Sequence, residues 1–262
     1  MATFVSLISG SSGNATFVSD GKTNLLIDCG MSGAKLKESL HAIDVMPESI
    51  DALLITHEHV DHTKGAGVIS RRYNIPIYTT QGTHTSMDIG NIADENIKII
   101  TEDTDFEIGN IGIRPFAIPH DATQPVGFNF MIGDEKYSLA TDIGKITKSI
   151  LEKITGSKKI LLESNHDVEM LKCGTYPYPL KRRILGEYGH LSNETASKVA
   201  LHLVQNGTEH IMLGHLSKEN NYEALAYETV CSEVTLGDNP YRSKDFQIQV
   251  AKRDSISDVV VL

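Results

Sequence analysis

Apolar and polar positions along the chain fall into short blocks. Alternation with a period of two, or brief apolar runs bounded by Gly, Asp and Asn, marks strands. Residues 3–8, 15–19, 24–28, 52–55 and 75–79 form an early set. A second block of alternating strands covers 97–100, 106–108, 111–118, 126–132 and 136–140. Strands at 159–162, 210–213 and 246–252 and a last apolar run at 259–261 close the chain. Helices are expected over 34–43, 68–73, around His84, and over 145–154 and 220–232. Residues 176–190 hold two prolines in quick succession and read as an irregular surface loop. No linker or low-complexity stretch interrupts the order, so residues 1–262 are expected to form one α/β domain.

The chemistry gathers where apolar strands stop. The run 52–55 leads straight into His57, His59, Asp61 and His62. Period-two geometry puts His57 and His59 on one side of an extended segment, and a helical turn near His62 brings Asp61 and His62 round to the same point. Imidazoles and a carboxylate converging in this way suit a first-row divalent metal, and four within six residues suit two ions better than one. The strand 111–118 runs into His120, and the strand 136–140 into Asp142. The strand 159–162 ends at Glu163, and 210–213 at His215. Asp142 has two oxygens that can serve two cations.

Two further features are polar loops. Residues 9–14, Ser-Gly-Ser-Ser-Gly-Asn, form a tight turn with Ser11, Ser12 and Asn14 available to an anion, or an ordinary hairpin turn. Gly189-His-Leu-Ser-Asn-Glu is echoed by Gly214-His-Leu-Ser-Lys-Glu. In each copy a histidine, His190 or His215, stands before an expected helix whose cap is Ser192 or Ser217, a place that collects anions. Lys181, Arg182 and Arg183 make the segment before His190 basic, either as a solvated helix face or as a ligand contact. His41, His84 and His202 are isolated and read as surface or packing residues.

Composition narrows the function. A formal net charge of −10 disfavours a large basic face for indiscriminate nucleic-acid binding, but not a metal-centred site that grips phosphate locally. Cys29, Cys173 and Cys231 are few and scattered, which suits a reducing cytoplasm rather than a disulfide framework. No export or membrane-spanning segment is visible, so no membrane partner is expected.

The His-x-His-x-Asp-His pattern after an apolar strand resembles the metal motif of the metallo-β-lactamase-fold superfamily. Asp28-Cys-Gly30 resembles its Asp-x-Gly turn. The resemblance implies a four-layer αββα sandwich, two mixed sheets face to face with helices outside, and no inserted cap domain. It implies that His57, His59 and His120 bind one metal, that Asp61, His62 and His215 bind a second, and that Asp142 bridges them. The two divalent ions, zinc or manganese with iron as a further option, would activate a hydroxide. Glu163 and His190 resemble the Glu–His pair of ribonuclease-Z-like phosphodiesterases, so Asp61, Glu163 and His190 form the expected catalytic set. Ser11, Ser12, Asn14, Arg182, Arg183, Ser192 and Ser217 are the expected substrate contacts. Through the motifs Ser9-Gly-Ser-Ser-Gly-Asn14, Thr56-His-Glu-His-Val-Asp-His62, Ala140-Thr-Asp-Ile-Gly144, Glu163-Ser-Asn-His-Asp167, Pro179-Leu-Lys-Arg-Arg183, Gly189-His-Leu-Ser-Asn193 and Gly214-His-Leu-Ser-Lys-Glu-Asn-Asn221, essentially the whole chain resembles the YycJ/WalJ group of bacterial proteins, regarded as 5′-to-3′ DNA exonucleases. Nucleic acid, DNA first, is therefore the expected substrate. The rival readings are a small-molecule hydrolase acting on a thioester, lactone or cyclic nucleotide phosphate, and a non-catalytic regulatory protein that keeps the fold.

Overall fold

A computed structural model of the chain describes residues 2–236, 241–242, 245–257 and 260–261. It contains two compact units, Met1–Ala117 with Ala122–Gly133 and Lys252–Leu262, and Ile118–Asp121 with Asp134–Ala251.

The first unit opens with β1 (Thr3–Gly10), β2 (Gly13–Ser19) and β3 (Asn24–Ile27), joined antiparallel. The strands β4 (Ala52–Leu54), β5 (Ile77–Thr80) and β6 (Ile97–Ile100) then continue the sheet in parallel. A C-terminal strand, Val260–Val261, pairs with β1 on the other side. It covers two of the three residues expected at 259–261; Val259 lies outside the described residues. All three residues of β4 are fully buried, as expected of a parallel strand covered on both faces. The helices α1 (Gly33–His41), α2 (Val60–Thr63), α3 (Ala66–Tyr73) and α4 (Gln81–Ser86) lie between these strands in sequence. Leu36 and Leu40 of α1 and Ile69 of α3 enter one core with Val5, Leu7, Phe17, Leu26, Leu53 and Ile77. Each such side chain contributes about 1.5–3 kcal/mol by leaving water. An antiparallel ribbon of β7 (Phe106–Ile108), β8 (Ile111–Ala117) and β9 (Val126–Ile132) completes the unit.

The second unit is built on four parallel strands, β10 (Glu135–Ala140), β11 (Lys159–Glu163), β12 (His210–Gly214) and β13 (Gln247–Val250). The crossovers carry α5 (Lys148–Ile154), α6 (Val168–Cys173), α7 (Tyr178–Ile184), α8 (Asn193–Gln205) and α9 (Glu223–Thr235). The helix α8 buries Ala196, Val199, Ala200 and Leu203, the three-and-four spacing of one helical face. It starts where Ser192 Oγ accepts the N–H of Thr195, with Glu194 in the first turn.

Two expectations are corrected. Residues 178–184 are helical rather than irregular, because Pro179 falls in the first turn of α7, where no intrahelical N–H is required. The echoed Gly-His-Leu-Ser motif caps a helix only at Ser192. Ser217 Oγ instead accepts the Asn220 N–H at 3.2 Å and closes a turn, and α9 starts only at Glu223, after Tyr222. Smaller shifts have local causes: α5 begins at Lys148 rather than 145 because Thr147 accepts the Ile150 N–H and is its N-cap.

Candidate active site

In the first unit the chain leaves β4 extended through Thr56 and His57, and His59 is the N-cap of the single turn α2, which carries Asp61 and His62. His57 and His62 are fully buried. Behind them stands Asp28, a buried residue held at φ 59°, a left-handed conformation that Asp tolerates better than most. One Asp28 oxygen accepts the Thr56 N–H at 2.9 Å; the other accepts the Thr56 hydroxyl at 2.8 Å and faces His62 Nδ1 at 2.8 Å. Because the Thr56 hydroxyl has given its proton to Asp28, it can only accept from His57 Nδ1, 3.0 Å away. Both imidazoles are thereby fixed with the proton on Nδ1 and the lone pair on Nε2, the tautomer a metal needs. His57 Nε2 lies 3.1 Å from His59 Nδ1, so ligand atoms of adjacent motif residues meet. Asn14 joins the group: its Nδ2 is 3.1 Å from His62 Nε2 and 3.4 Å from Asp61 Oδ2. Gly30 is obligatory here, since a Cβ would sit 1.7 Å from the Asp61 carbonyl oxygen. Ser11 and Ser12 form the exposed tip of the β1–β2 hairpin.

In the second unit five segments deliver titratable groups to one place. Asp142, after β10, and His215, after β12, are buried and also left-handed, at φ 60° and 55°. Strained backbone at two strand ends that present functional side chains is a feature of sites rather than of scaffolds. Ligand atoms of Asp142, Glu163, His190 and His215 all lie within 4.8 Å of one another. His215 Nδ1 is 3.2 Å from Asp142 Oδ2. His120 turns its Nδ1 to the Gly189 carbonyl at 3.2 Å, which directs Nε2 towards Asp142 Oδ1 at 3.8 Å. Burial holds the His120 imidazole below its ordinary range, with the neutral, metal-binding form favoured.

Glu163 at the end of β11 is fully buried and engaged on both oxygens. Its Oε2 accepts the Ile143 and Leu191 N–H groups at 2.8 and 3.0 Å, and its Oε1 faces His190 Nδ1 at 2.7 Å. Burial opposes the charged form of His190, but the charge and hydrogen bond of Glu163, followed by the charge of Asp142, outweigh it and raise the imidazole to about 9. With Nδ1–H committed to Glu163, the proton available for transfer sits on Nε2. The donor sets of both units, imidazole nitrogens with a carboxylate, half-buried Asp61 in the first and buried Asp142 in the second, fit first-row divalent ions.

A model described as a beta-lactamase superfamily domain matches residues 23–215. The chain belongs to this superfamily. It is 39% identical over 236 residues, 88% of each chain, to exodeoxyribonuclease WalJ of Streptococcus pneumoniae serotype 2. It is 37% identical over 229 residues, 87% of each, to exodeoxyribonuclease YycJ of Bacillus anthracis. Among solved structures, the metallo-β-lactamase-fold protein YhfI of Bacillus subtilis superposes with a TM-score of 0.68 at 16% identity, covering 98% of this chain and 99% of that one. Zn(2+)-bound PqqB of Methylobacterium extorquens gives 0.69 at 17%, covering 98% and 100%. These likenesses show the metallo-β-lactamase fold, an α/β architecture of two mixed sheets plus helices.

Within the superfamily framework the expected substrate contacts divide. Arg183 is ion-paired with Asp121, while Arg182 is exposed beside the Tyr178 ring. Ser192 and Ser217 are buried, their hydroxyls occupied in the cap and turn described above. Sequence reading missed Thr56, the hydroxyl that sets the His57 tautomer, and the buried asparagines Asn165, Asn193 and Asn221. The signal for them was that each lies inside a motif of the resemblance, 56–62, 163–167, 189–193 or 214–221, although none was assigned a role there.

Proposed function

We propose that this chain is a metal-dependent exodeoxyribonuclease that hydrolyses phosphodiesters from a 5′ DNA end. The observation that carries the reading is the 2.7 Å pair of His190 and Glu163 beside Asp142 and His215. An alkoxide is a poor leaving group, so cleavage of DNA needs a positioned proton donor. A thioester, whose thiolate leaves without a proton, needs it less. His190 is such a donor, charged at neutral pH and aimed by a carboxylate that cannot leave it. The two relatives are both exodeoxyribonucleases, which supports DNA over RNA.

In this reading His57, His59, Asp61 and His62 of the first unit and His120, Asp142 and His215 of the second would hold divalent ions. Zinc suits the histidine-rich set, and manganese suits the carboxylates. Bound, the ions supply Lewis acidity at the phosphoryl group and at the attacking water. Asp28 and Thr56 keep the imidazoles in register, Glu163 orients His190, and His190 passes its Nε2 proton to the departing oxygen. On α7, Arg182 is exposed and supplies local positive charge, while Lys181 donates to the Lys172 and Gly174 carbonyls. The three free cysteines agree with a reducing cytoplasm, and among the described residues no helix is long and apolar enough to cross a membrane.

The test is direct. Pure protein with manganese is incubated with DNA and RNA duplexes labelled at either end. A 5′-to-3′ ladder on DNA is expected. Inertness on both nucleic acids, with turnover of a thioester or a cyclic nucleotide, would replace this reading with a small-molecule hydrolase.

A further inference from the structure

Three segments leave the carboxyl ends of the second unit's strands and helices carrying the groups named above: 163–167 with Glu163, 190–193 with His190, and 214–222 with His215. Each is short and irregular, so regular secondary structure does not fix their mutual positions. Backbone bonds lace them pairwise. Asn165 N–H donates to Leu191 O at 2.9 Å, Asn193 N–H to His166 O at 2.8 Å, Ser217 N–H to Asn165 O at 2.7 Å and Asp167 N–H to Asn220 O at 2.9 Å.

Where the three meet, two carboxamides lie head to tail. Asn193 Nδ2 donates to Asn221 Oδ1 at 3.0 Å, and Asn221 Nδ2 donates back to Asn193 Oδ1 at 2.9 Å. The same Asn221 Nδ2 reaches Ser164 O at 2.9 Å and Asn165 O at 3.1 Å, Ser164 Oγ donates to Asn193 Oδ1 at 2.6 Å, and Tyr222 N–H donates to Asn221 Oδ1 at 3.0 Å. Asn165 Nδ2 then donates to the His215 carbonyl at 2.8 Å. Asn193 is fully buried, Asn165 and Asn221 nearly so. A buried amide exposes two donors and an acceptor, and leaving one unmade is costly, so a network this complete admits few alternative arrangements.

We propose that Asn193 and Asn221 are positioning residues: their paired amides lock the segment carrying His190 against those carrying Glu163 and His215, and so set where the His190 proton is delivered. The inference rests on the reading of His190 as proton donor. Neither asparagine touches the reacting atoms. Each acts through a histidine, Asn193 three residues after His190 and Asn221 across from it. An error of about 1 Å in the placement of a catalytic group costs roughly a hundredfold in rate. The expected size of the effect follows from that.

The experiment compares wild type, Asn193→Ala, Asn221→Ala and the double variant. Three readouts are taken: kcat and KM on DNA, kcat on bis(p-nitrophenyl) phosphate, and the low-field proton NMR signal of the His190 Nδ1–H bonded to Glu163, assigned by its loss in His190→Ala. Each single variant is expected to lower kcat on DNA by about ten- to a hundredfold with KM little changed, and to shift or broaden the low-field signal. The p-nitrophenyl ester, whose leaving group needs no proton, should lose much less. The double variant should be no worse than either single one, because one unit has been broken twice. A lowered Tm with the low-field signal and the DNA kcat both intact would overturn the proposal and leave the asparagines as ordinary packing. Should the alanine variants fail to fold, Asn221→Ser removes the Nδ2 donations while leaving a small uncharged polar side chain, and is judged by the same readouts. A wild type inert on DNA would overturn the proposed function, while the NMR comparison would still decide the clamp.

Discussion

Asp28, His190 and Thr56 show what a single side chain does in this protein. Asp28 receives three donors and orients His62 directly and His57 through Thr56. Asp28→Asn keeps the left-handed backbone but offers an N–H where an acceptor is required, so metal affinity should fall by about ten- to a hundredfold in a titration followed by calorimetry. Unchanged affinity would mean that the Asp-x-Gly turn is only a fold element. At His190, replacement by Ala should lower kcat on DNA by roughly 10²–10⁴-fold, with metal content unchanged and far less loss on bis(p-nitrophenyl) phosphate; equal losses on the two substrates would exclude a proton donor. The same pair has a signature in stability. The folded value of about 9 lies above the ordinary 6.5, so the pairing stabilises the fold fully below pH 6.5, and that contribution is lost as pH rises through about 9. Chelated protein should therefore lose thermal stability across that window, and Glu163→Gln should flatten the profile. At this scale the histidines were legible because His-x-His-x-Asp-His has no other common use after an apolar strand. Thr56 was not, since a hydroxyl beside a histidine is common and its role depends on a carboxylate 28 residues earlier.

Elements were legible where burial imposes a period. The strands β1 to β5 and β8 to β12 sit within two or three residues of the apolar blocks, because one or both faces must be dry. Where short-range chemistry outranks the period, reading failed. Proline was taken as a breaker at 176–190, yet position 179 is one of the few in a helix that accepts it. Ser192 and Ser217 follow the same Gly-His-Leu triplet, but only Ser192 has free N–H groups of a following helix to cap. At Ser217 the next helix is delayed by Asn220 and Asn221, which tie the backbone to the 163–167 segment. The difference gives a prediction. Ser192→Ala should destabilise by about 0.5–2 kcal/mol through the start of α8, measured by denaturant melting, and Ser217→Ala by less. In β4, Leu53→Ala removes a fully buried side chain and should cost about 2–5 kcal/mol, read in the same melt. A loss near zero at Leu53 would show that the first unit's core is not where its stability resides.

For the whole molecule the telling quantity is charge. A net −10 must coexist with a polyanionic substrate, so the chain as a whole repels DNA while its proposed metal centre attracts it. Grip on the backbone then falls to a few local cations of α7: Arg182 is exposed, Lys181 donates to the Lys172 and Gly174 carbonyls, and Arg183 is paired to Asp121. Each phosphate neutralised by a basic side chain adds about 0.9 to the slope of log affinity against log salt on duplex DNA. A protein with a broad basic face makes roughly 6–10 such contacts and loses about 10³–10⁵ in affinity between 50 and 200 mM salt. Here two or three contacts are expected, so KM for DNA should rise with a slope of only about 2–3 while kcat stays nearly constant. Steady-state kinetics across that salt range at fixed metal concentration measures it. Arg182→Ala should reduce the slope by about one unit, because one released counterion has been removed. A slope of six or more, or one that Arg182→Ala leaves unchanged, would show that the backbone is held by a surface other than that of α7.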